Sequence, residues 1–182
     1  IDAGDYVGDV ATWTQDDLTL VGVGGWAHLE ADGQSAQGKA IWVVAGDRAR
    51  IQNIEFSGAV VPDENGAGIR AEGTDLTVVH CWFHHNQDGI LAGANAESDI
   101  EIRRSRFTDL LPGTGFTHDI YIGTVRSFYL KGSFVTGASQ GHQVKSRALR
   151  TTVTANRIAD LDSNASYSID LPNGGDVKIA GN

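Results

Sequence analysis

The sequence predicts an all-β fold, a parallel β-helix (solenoid) of about seven rungs, where a rung is one turn of the chain around the solenoid axis. A pattern of alternating apolar residues followed by a Gly/Asn-rich turn recurs about every 26 residues, and a fixed period of this size is typical of a solenoid. Alternation within each copy indicates strands rather than helices. Glycine is frequent, at 23 residues against three prolines, as expected where tight corners separate short strands. Equivalent residues of successive rungs should therefore stack in columns.

The first strand of each copy supplies three aligned columns. The anchor column is Leu20, Ile51, Val78, Ile102, Leu130, Val153 and Ile179. Five positions later stand the large apolar residues Phe56, Phe83, Phe107, Val135 and Ile158. Three positions after the anchor stand Val23, Ile54, Cys81, Ser105, Ser133, Asn156 and Asn182. The last column drifts from apolar to polar, which predicts an inward corner where side chains bond to the backbone.

A second strand in each copy aligns as well. Its predicted inward column is Ile69, Ile90, Ile120, Val144 and Ile169. Strand alternation places the neighbours of these residues outward. One predicted outward column is Gly68, Gly89, Asp119, Gln143 and Ser168, and the other is Arg70, Leu91, Tyr121, Lys145 and Asp170. Because stacked rungs lie about 4.8 Å apart, Tyr121, Lys145 and Asp170 should form one contiguous patch.

The late rungs carry the densest group of chemically capable side chains. His118, His142 and Tyr167 should form another stacked trio, and Arg147 extends the same face. Earlier rungs have Gly, Ala and Leu at the equivalent places, which indicates a local site on a repetitive scaffold. Two plainer interpretations stay open. The histidines can serve only to bond the corner backbone, and the patch can be a solvated face with an ordinary ion pair, which contributes little to stability.

Length and charge limit the classes of partner. The 182 residues suit one domain over 1–182, with room for a short N-terminal cap over 1–17. A net charge of −9 argues against nucleic acid, although a few local cations can still bind an anionic ligand. We expect no membrane span, since no apolar stretch approaches the required ~20 residues.

The ends of the chain suggest part of a longer protein. It starts at Ile1 rather than Met and stops at Asn182 inside a repeat. We therefore expect a fragment or processed form without a complete C-terminal cap. An uncovered terminal rung would favour end-to-end self-association, because its strand edges are unpaired.

No cofactor or metal is predicted. Three histidines surround Cys81, namely His80, His84 and His85. A second cysteine is missing and two aromatic residues interrupt the spacing, so the segment does not predict a zinc site. The oxygen-rich loop 62–66 could attract Ca²⁺ but lacks the ligand spacing of a calcium loop.

Several stretches resemble bacterial right-handed parallel β-helix repeat proteins of the pectate-lyase-like superfamily. They are Phe56-Ser57-Gly58, Asn65-Gly66-Ala67-Gly68-Ile69-Arg70, Cys81-Trp82-Phe83-His84, Asp88-Gly89-Ile90-Leu91, His118-Asp119-Ile120-Tyr121-Ile122-Gly123, Gly141-His142-Gln143-Val144-Lys145-Ser146-Arg147-Ala148 and Ser168-Ile169-Asp170-Leu171-Pro172-Asn173-Gly174-Gly175. The resemblance implies a right-handed solenoid in a secreted or periplasmic protein. The run Val144-Lys145-Ser146 is similar to the Lys-Ser segment of alginate and chondroitin lyases, where the lysine is the proposed base. Those lyases place an arginine acid on the following rung, where this chain has Asp170.

The patch also suits elimination across a uronate on chemical grounds. That reaction needs a cation for the carboxylate, a base for the C5 proton and an acid for the glycosidic oxygen. Lys145 with Arg147 can supply the cation, and His142 or Lys145 the base. Tyr121 can supply the acid. A C5-epimerase needs nearly the same set.

Other residues complete the predicted site. The expected substrate-binding residues are Asp170, Asp119, Gln143, His118 and Arg70. A hydrolase would instead use paired carboxylates, for which Asp119 and Asp170 are the candidates. The predicted function is lyase or C5-epimerase chemistry on an acidic, uronate-containing polysaccharide. The alternative is a non-catalytic β-solenoid for carbohydrate binding, adhesion or structural stacking.

Overall fold

Three parallel β-sheets run along the molecule. The computed structural model describes residues 1–113, 115–161 and 163–182. These residues form 21 strands and no helix, arranged in three seven-stranded sheets in which each turn of the chain contributes one strand to each sheet. The described part of the chain therefore contains no helix that is long and apolar enough to cross a membrane.

Each sheet is named here after its first strand. The β1 sheet consists of Asp2–Val7 (β1), Val23–Glu30 (β4), Ile54–Ser57 (β7), Trp82–His84 (β10), Arg106–Thr108 (β13), Phe134–Val135 (β16) and Arg157–Ile158 (β19). The β2 sheet consists of Ala11–Trp13 (β2), Ala40–Val44 (β5), Ala67–Ala71 (β8), Asp88–Ala92 (β11), His118–Ile122 (β14), His142–Ser146 (β17) and Tyr167–Asp170 (β20). The β3 sheet consists of Thr19–Val21 (β3), Ala49–Gln52 (β6), Leu76–Val79 (β9), Asn95–Arg103 (β12), Val125–Lys131 (β15), Arg150–Thr154 (β18) and Asp176–Ala180 (β21).

The strand register confirms the repeat alignment. Every step of the anchor column, from Leu20 to Ile179, is a parallel pair in the β3 sheet. The inward column from Ile69 to Ile169 pairs in the same way in the β2 sheet. The prediction of an all-β parallel solenoid of about seven turns is therefore confirmed. Residues 1–17 supply β1 and β2, which pair with β4 and β5.

After the first turn, one left-handed residue makes each corner between the β3 and β1 sheets. Two positions after the anchor, φ lies between +48° and +66° at Asn53, His80, Arg104, Gly132, Ala155 and Gly181. A single residue in this region turns the backbone sharply, and only glycine adopts it without steric cost. The repeated corner keeps the stacked turns in phase.

Polar side chains inside this corner form a ladder parallel to the solenoid axis. Ser105 Oγ accepts the backbone N–H of Cys81 (3.1 Å), and Ser133 Oγ accepts that of Ser105 (3.2 Å). Asn156 Oδ1 then accepts the N–H of Ser133 (2.9 Å), and Asn182 Oδ1 accepts that of Asn156 (3.0 Å). The predicted bonding of this column to the backbone is confirmed.

The first copy departs from the predicted alignment. Val23, assigned to the inward corner, is 59% exposed, and Ala27 takes its place opposite Ile54. The segment Gly22–Gly25 lengthens this corner, so the residue opposite Ile54 stands four positions later than predicted. The assignment of Val23 was wrong because the local spacing of the first turn is longer than the period.

Aromatic rings fill the core below the β1 sheet. Phe56, Phe83 and Phe107 stack with centroids 5.0 and 4.8 Å apart and planes within 7°, and all three are fully buried. This confirms the predicted column of large apolar residues. Burying each such ring stabilises the fold by about 1.5–3 kcal/mol.

Candidate functional site

The early turns of the β2 sheet are apolar on their outer face. Ala36, Ala40, Val43 and Ala67 form a buried cluster there, separate from the main core. The loop 31–39 folds back over this face, with Ala36 bridged to Ala40. We call this region the covered half of the β2 sheet.

The late turns of the same outer face carry the predicted patch. Tyr121 pairs in register with Lys145, and Lys145 with Asp170. Lys145 Nζ lies 3.4 Å from Asp170 Oδ2, and His142 Nε2 lies 3.6 Å from the same oxygen. The prediction that these residues are spatial neighbours is confirmed. We call His142, Tyr121, Lys145, Arg147 and Asp170 the candidate patch.

Arg147 ties the patch together across two turns. Its Nε donates a hydrogen bond to the Tyr121 hydroxyl (3.3 Å), and its Nη1 donates to Asn173 Oδ1 (2.7 Å). The guanidinium therefore places a fixed positive charge on the phenol oxygen. Such a cation stabilises negative charge that develops on that oxygen.

His118 and His142 are stacked, and the pKa of each ring is lowered. His118 and His142 stack at 4.9 Å, and His142 stacks on Tyr167 at 5.5 Å. His118 Nδ1 accepts the backbone N–H of His142 (3.1 Å), as expected for a histidine that bonds the backbone. Burial, His142 and Lys145 lower the pKa of His118 to about 3. Burial and Lys145 also lower the pKa of His142, against the opposing charge of Asp170.

A cleft of about 530 Å³ opens beside this patch. Its lining residues are Asp63, Asn65, Leu91, Gly115, Phe116, His118, Tyr121, Lys145 and Arg147. One wall comes from the loop 61–66, whose ends are fixed because Gln87 Oε1 accepts the N–H groups of Val61 (2.9 Å) and Gly66 (2.8 Å). The sequence analysis missed this wall, since a loop position does not belong to the repeating columns.

Asp119 and Gln143 do not face outward as predicted. Both are completely buried, as are Ile120 and Val144 directly after them, so two consecutive residues point into the solenoid in these two strands. A Cβ on Gly89, one turn before Asp119, would lie 2.6 Å from the core ring of Phe107. The outward assignment was wrong because strict alternation fails at this irregularity. Asp119 and Asp170 therefore do not share a face as a hydrolase pair would.

The interior position has consequences for both side chains. Neither carboxyl oxygen of Asp119 has a hydrogen bond of good geometry among the described residues, although the backbone of Ala138 is near enough to act on it. Burial raises the pKa of Asp119 well above its ordinary value. Gln143 donates long hydrogen bonds of 3.4 Å to the Ala159 carbonyl and to Asp160.

Arg70 lies on the outward column but away from the patch. Leu91 separates it from Tyr121. Its Nε lies 3.7 Å from Glu72 Oε1, and Lys39 Nζ is 2.8 Å from the same oxygen. The structure therefore places Arg70 in a separate ion cluster at the edge of the covered half.

Asp88 is a titratable residue that the sequence analysis missed. It stands in the His118 column, opposite Ala67, and its Oδ1 accepts the backbone N–H of His118. Burial raises the pKa of Asp88 to about 8, against the opposing effects of that hydrogen bond and of Arg70. The column alignment could have found it, because Asp88 stands two residues before the inward Ile90.

Comparisons with models of protein families, with curated proteins and with solved structures found no match.

Proposed function

We propose that the candidate patch acts on an acidic, uronate-containing polysaccharide, by lyase or C5-epimerase chemistry. The observation that carries the proposal is the convergence of two cations, a phenol and an imidazole beside one cleft. Lys145, Arg147 and Tyr121 line the cleft, and His142 lies next to Lys145 at their shared partner Asp170. Elimination and epimerisation at C5 need these same three kinds of group.

The cleft suits an anionic sugar. Lys145 and Arg147 can bind the uronate carboxylate, for which the planar guanidinium is geometrically well matched. Phe116, which is 77% exposed, can pack on the apolar face of a pyranose ring. Asp63 and Asn65 on the facing wall can accept hydrogen bonds from sugar hydroxyls.

Each atom of the reaction has a candidate partner. The His142 imidazole removes the C5 proton, which suits its lowered pKa because the ring is neutral at neutral pH. In elimination the released electron pair forms the C4–C5 double bond as the C4–O4 bond breaks. Tyr121 donates its hydroxyl proton to O4, and Arg147 stabilises the phenolate that remains. In epimerisation the C4–O4 bond stays intact and Tyr121 returns a proton to C5 from the opposite face.

The test is a panel of uronic-acid polymers incubated with the protein. Elimination is read by ultraviolet absorbance of the unsaturated product, and epimerisation by deuterium incorporation at C5 in proton NMR. We expect His142→Gln, Tyr121→Phe and Lys145→Ala each to lower the rate by about 10²–10⁴-fold, the usual contribution of one acid–base group. Lys131→Ala, an exposed lysine at the end of β15, is the matched control and should keep full activity.

Two results would decide against this proposal. Full activity of Lys145→Ala on the true substrate excludes the elimination mechanism. Binding to an acidic polymer with neither product nor exchange supports the alternative, a carbohydrate-binding solenoid. The Lys145–Asp170 contact favours that alternative, since a cation already paired at 3.4 Å is also what a solvated face would show. A secreted or periplasmic location stays a prediction.

A further inference from the structure

A second polar cluster lies on a different face, outside the β1 sheet. His28, Glu55 and His84 come from the adjacent strands β4, β7 and β10, and one ligand atom from each lies within 4.8 Å of the other two. We propose that these three residues bind one divalent transition-metal ion of the Zn²⁺ class. The proposal is independent of the candidate patch.

The distances surround a position that a metal can fill. His84 Nε2 lies 2.8 Å from Glu55 Oε1, and His28 Nε2 lies 4.0 Å from the same oxygen. Tetrahedral Zn²⁺ with bonds of about 2.0–2.1 Å separates its ligand atoms by roughly 3.3 Å. The two observed distances bracket this value, so a small movement of the Glu55 carboxylate brings both pairs into range.

His28 is already oriented as a metal ligand. Its Nδ1 lies 2.9 Å from Asp5 Oδ1, and a carboxylate only accepts hydrogen bonds, so Nδ1 carries the proton. In the neutral ring the lone pair is then on Nε2, which lies 2.7 Å from the Ser57 hydroxyl. A carboxylate that fixes the tautomer in this way is the usual outer partner of a metal-bound histidine.

His84 has an outer partner as well. Its Nε2 donates to Glu55 in the metal-free arrangement, and its Nδ1 lies 2.7 Å from His85 Nδ1. Moving the ring proton of His84 from Nε2 to Nδ1 frees Nε2 for a metal. His85 Nδ1 then accepts that proton in a hydrogen bond, so the change needs only a tautomer shift in each ring.

The donor set selects the class of ion. Two imidazole nitrogens with one carboxylate favour Zn²⁺ and its transition-metal neighbours, whereas Ca²⁺ and Mg²⁺ take mainly oxygen ligands. Within the described residues, the ion-pair partners of Glu55 are these two histidines, so no lysine or arginine competes for its charge. Three protein ligands leave a coordination position for water.

Metal titration tests the site directly. Chelator-treated protein is titrated with Zn²⁺ and binding is measured by calorimetry. A parallel titration with Co²⁺ is followed by visible absorption, because the d–d bands of bound Co²⁺ report the coordination geometry. We expect one equivalent bound, and a loss of at least about 100-fold in affinity for His28→Ala and for His84→Ala. Asp5→Asn, which removes a positioning residue, should cost about 10–100-fold and alter the Co²⁺ spectrum.

The control is His80→Asn. His80 packs on Trp26 of β4 at 4.8 Å but is outside the cluster, so this variant should bind Zn²⁺ as the parent does. Circular dichroism of every variant in chelator must match the parent, which separates lost ligands from lost fold. Absence of Zn²⁺ binding, equal binding by the His28→Ala/His84→Ala double variant, or preferential Ca²⁺ binding would each overturn the proposal.

Discussion

The covered half of the β2 sheet and the late half, which carries the candidate patch, have the same strand register and the same kind of inner face. They differ on the outer face. One outer column reads Ala40, Ala67, Asp88, His118, His142 and Tyr167 in register from early to late turns. Its first members are buried beneath the loop 31–39, and its histidines border the cleft and the candidate patch. The inner column of the same strands is Ile or Val from Ile69 to Ile169.

This difference shows that the solenoid determines where each outward side chain lies, whereas the loops determine whether that side chain is covered or exposed to solvent. A side chain on the outer face is apolar where a loop returns over the sheet, because an uncompensated polar group would be costly there. Where the loop 61–66 stands beside the sheet, the same columns hold cations and imidazoles. Asp88 lies at the boundary between the two halves and has features of both, being polar and fully buried.

The largest predicted effect is the loss of the covered half. Ala67→Asp places a carboxylate in a position with 0% exposure, and its neighbours in strand register are Ala40 and the carboxyl group of Asp88. We expect a loss of about 3–5 kcal/mol in the free energy of unfolding, the usual cost of a buried unpaired charge. Urea denaturation at neutral pH measures it.

The control for this variant is Thr12→Asp. Thr12 lies on the outer face of the same sheet, beside Val43, but is exposed, so the same new charge should change stability by no more than about 0.5 kcal/mol. Equal losses in the two variants would mean that the loop 31–39 does not exclude water from this face.

The next effect is a pH dependence located at the boundary. The pKa of Asp88 is about 8 in the folded protein against an ordinary value of 3.8. Its contribution to the free energy of unfolding is therefore present at low pH and is lost as pH rises from about 4 through about 8. His118 has a folded pKa of about 3 against an unfolded 6.5, so its contribution is lost as pH falls below 6.5. Between about pH 4 and 6.5, the loss of stability due to Asp88 with rising pH is offset by the gain due to His118. Above pH 6.5 the loss due to Asp88 is no longer offset.

Asp88→Asn should remove the part of the pH dependence of the unfolding free energy that comes from titration of the Asp88 carboxyl. At up to about 1.4 kcal/mol per pH unit, the variant should gain about 2 kcal/mol over the parent between pH 6.5 and 8. Urea denaturation at both pH values gives the difference. A gain that is the same at both pH values would show that the Asp88 carboxyl does not titrate in this window.

The parts of the fold that repeat could be predicted from the sequence. The anchor column from Leu20 to Ile179 pairs as aligned, because each turn buries the same kind of side chain at the same backbone position. The corner ladder could be predicted for the same reason, since Ser105 and Asn156 bond the backbone of the preceding turn. Val23 could not, because the added length of the first corner breaks the period.

The candidate site divides along the same line. Tyr121, Lys145 and Asp170 lie in register, so the repeat alignment predicted that they are neighbours. Asp119 was misplaced because two successive residues point inward at its position. The repeat alignment could not predict the cluster of His28, Glu55 and His84. His28 and Glu55 share one column, whereas His84 belongs to the next outward column. Residues from different columns meet only through side-chain length and rotamer, which the repeat does not encode.

The smallest predicted effect concerns the ion pair at the edge of the covered half. Lys39, at the end of the loop 31–39, lies 2.8 Å from Glu72, and their side chains are 40% and 29% exposed. Lys39→Gln, which leaves the contact between Arg70 and Glu72 in place, should therefore lower the free energy of unfolding by only about 0.5 kcal/mol, and less at high salt. Urea denaturation at low and high salt measures both quantities, with Glu101→Gln, which breaks a similarly exposed pair with Arg103 far from this loop, as the control. A loss well above 1 kcal/mol that salt reduces would mean that electrostatics holds the loop down. A small loss leaves burial of Val43 and its alanine neighbours as the reason that this half of the sheet is closed and the other half open.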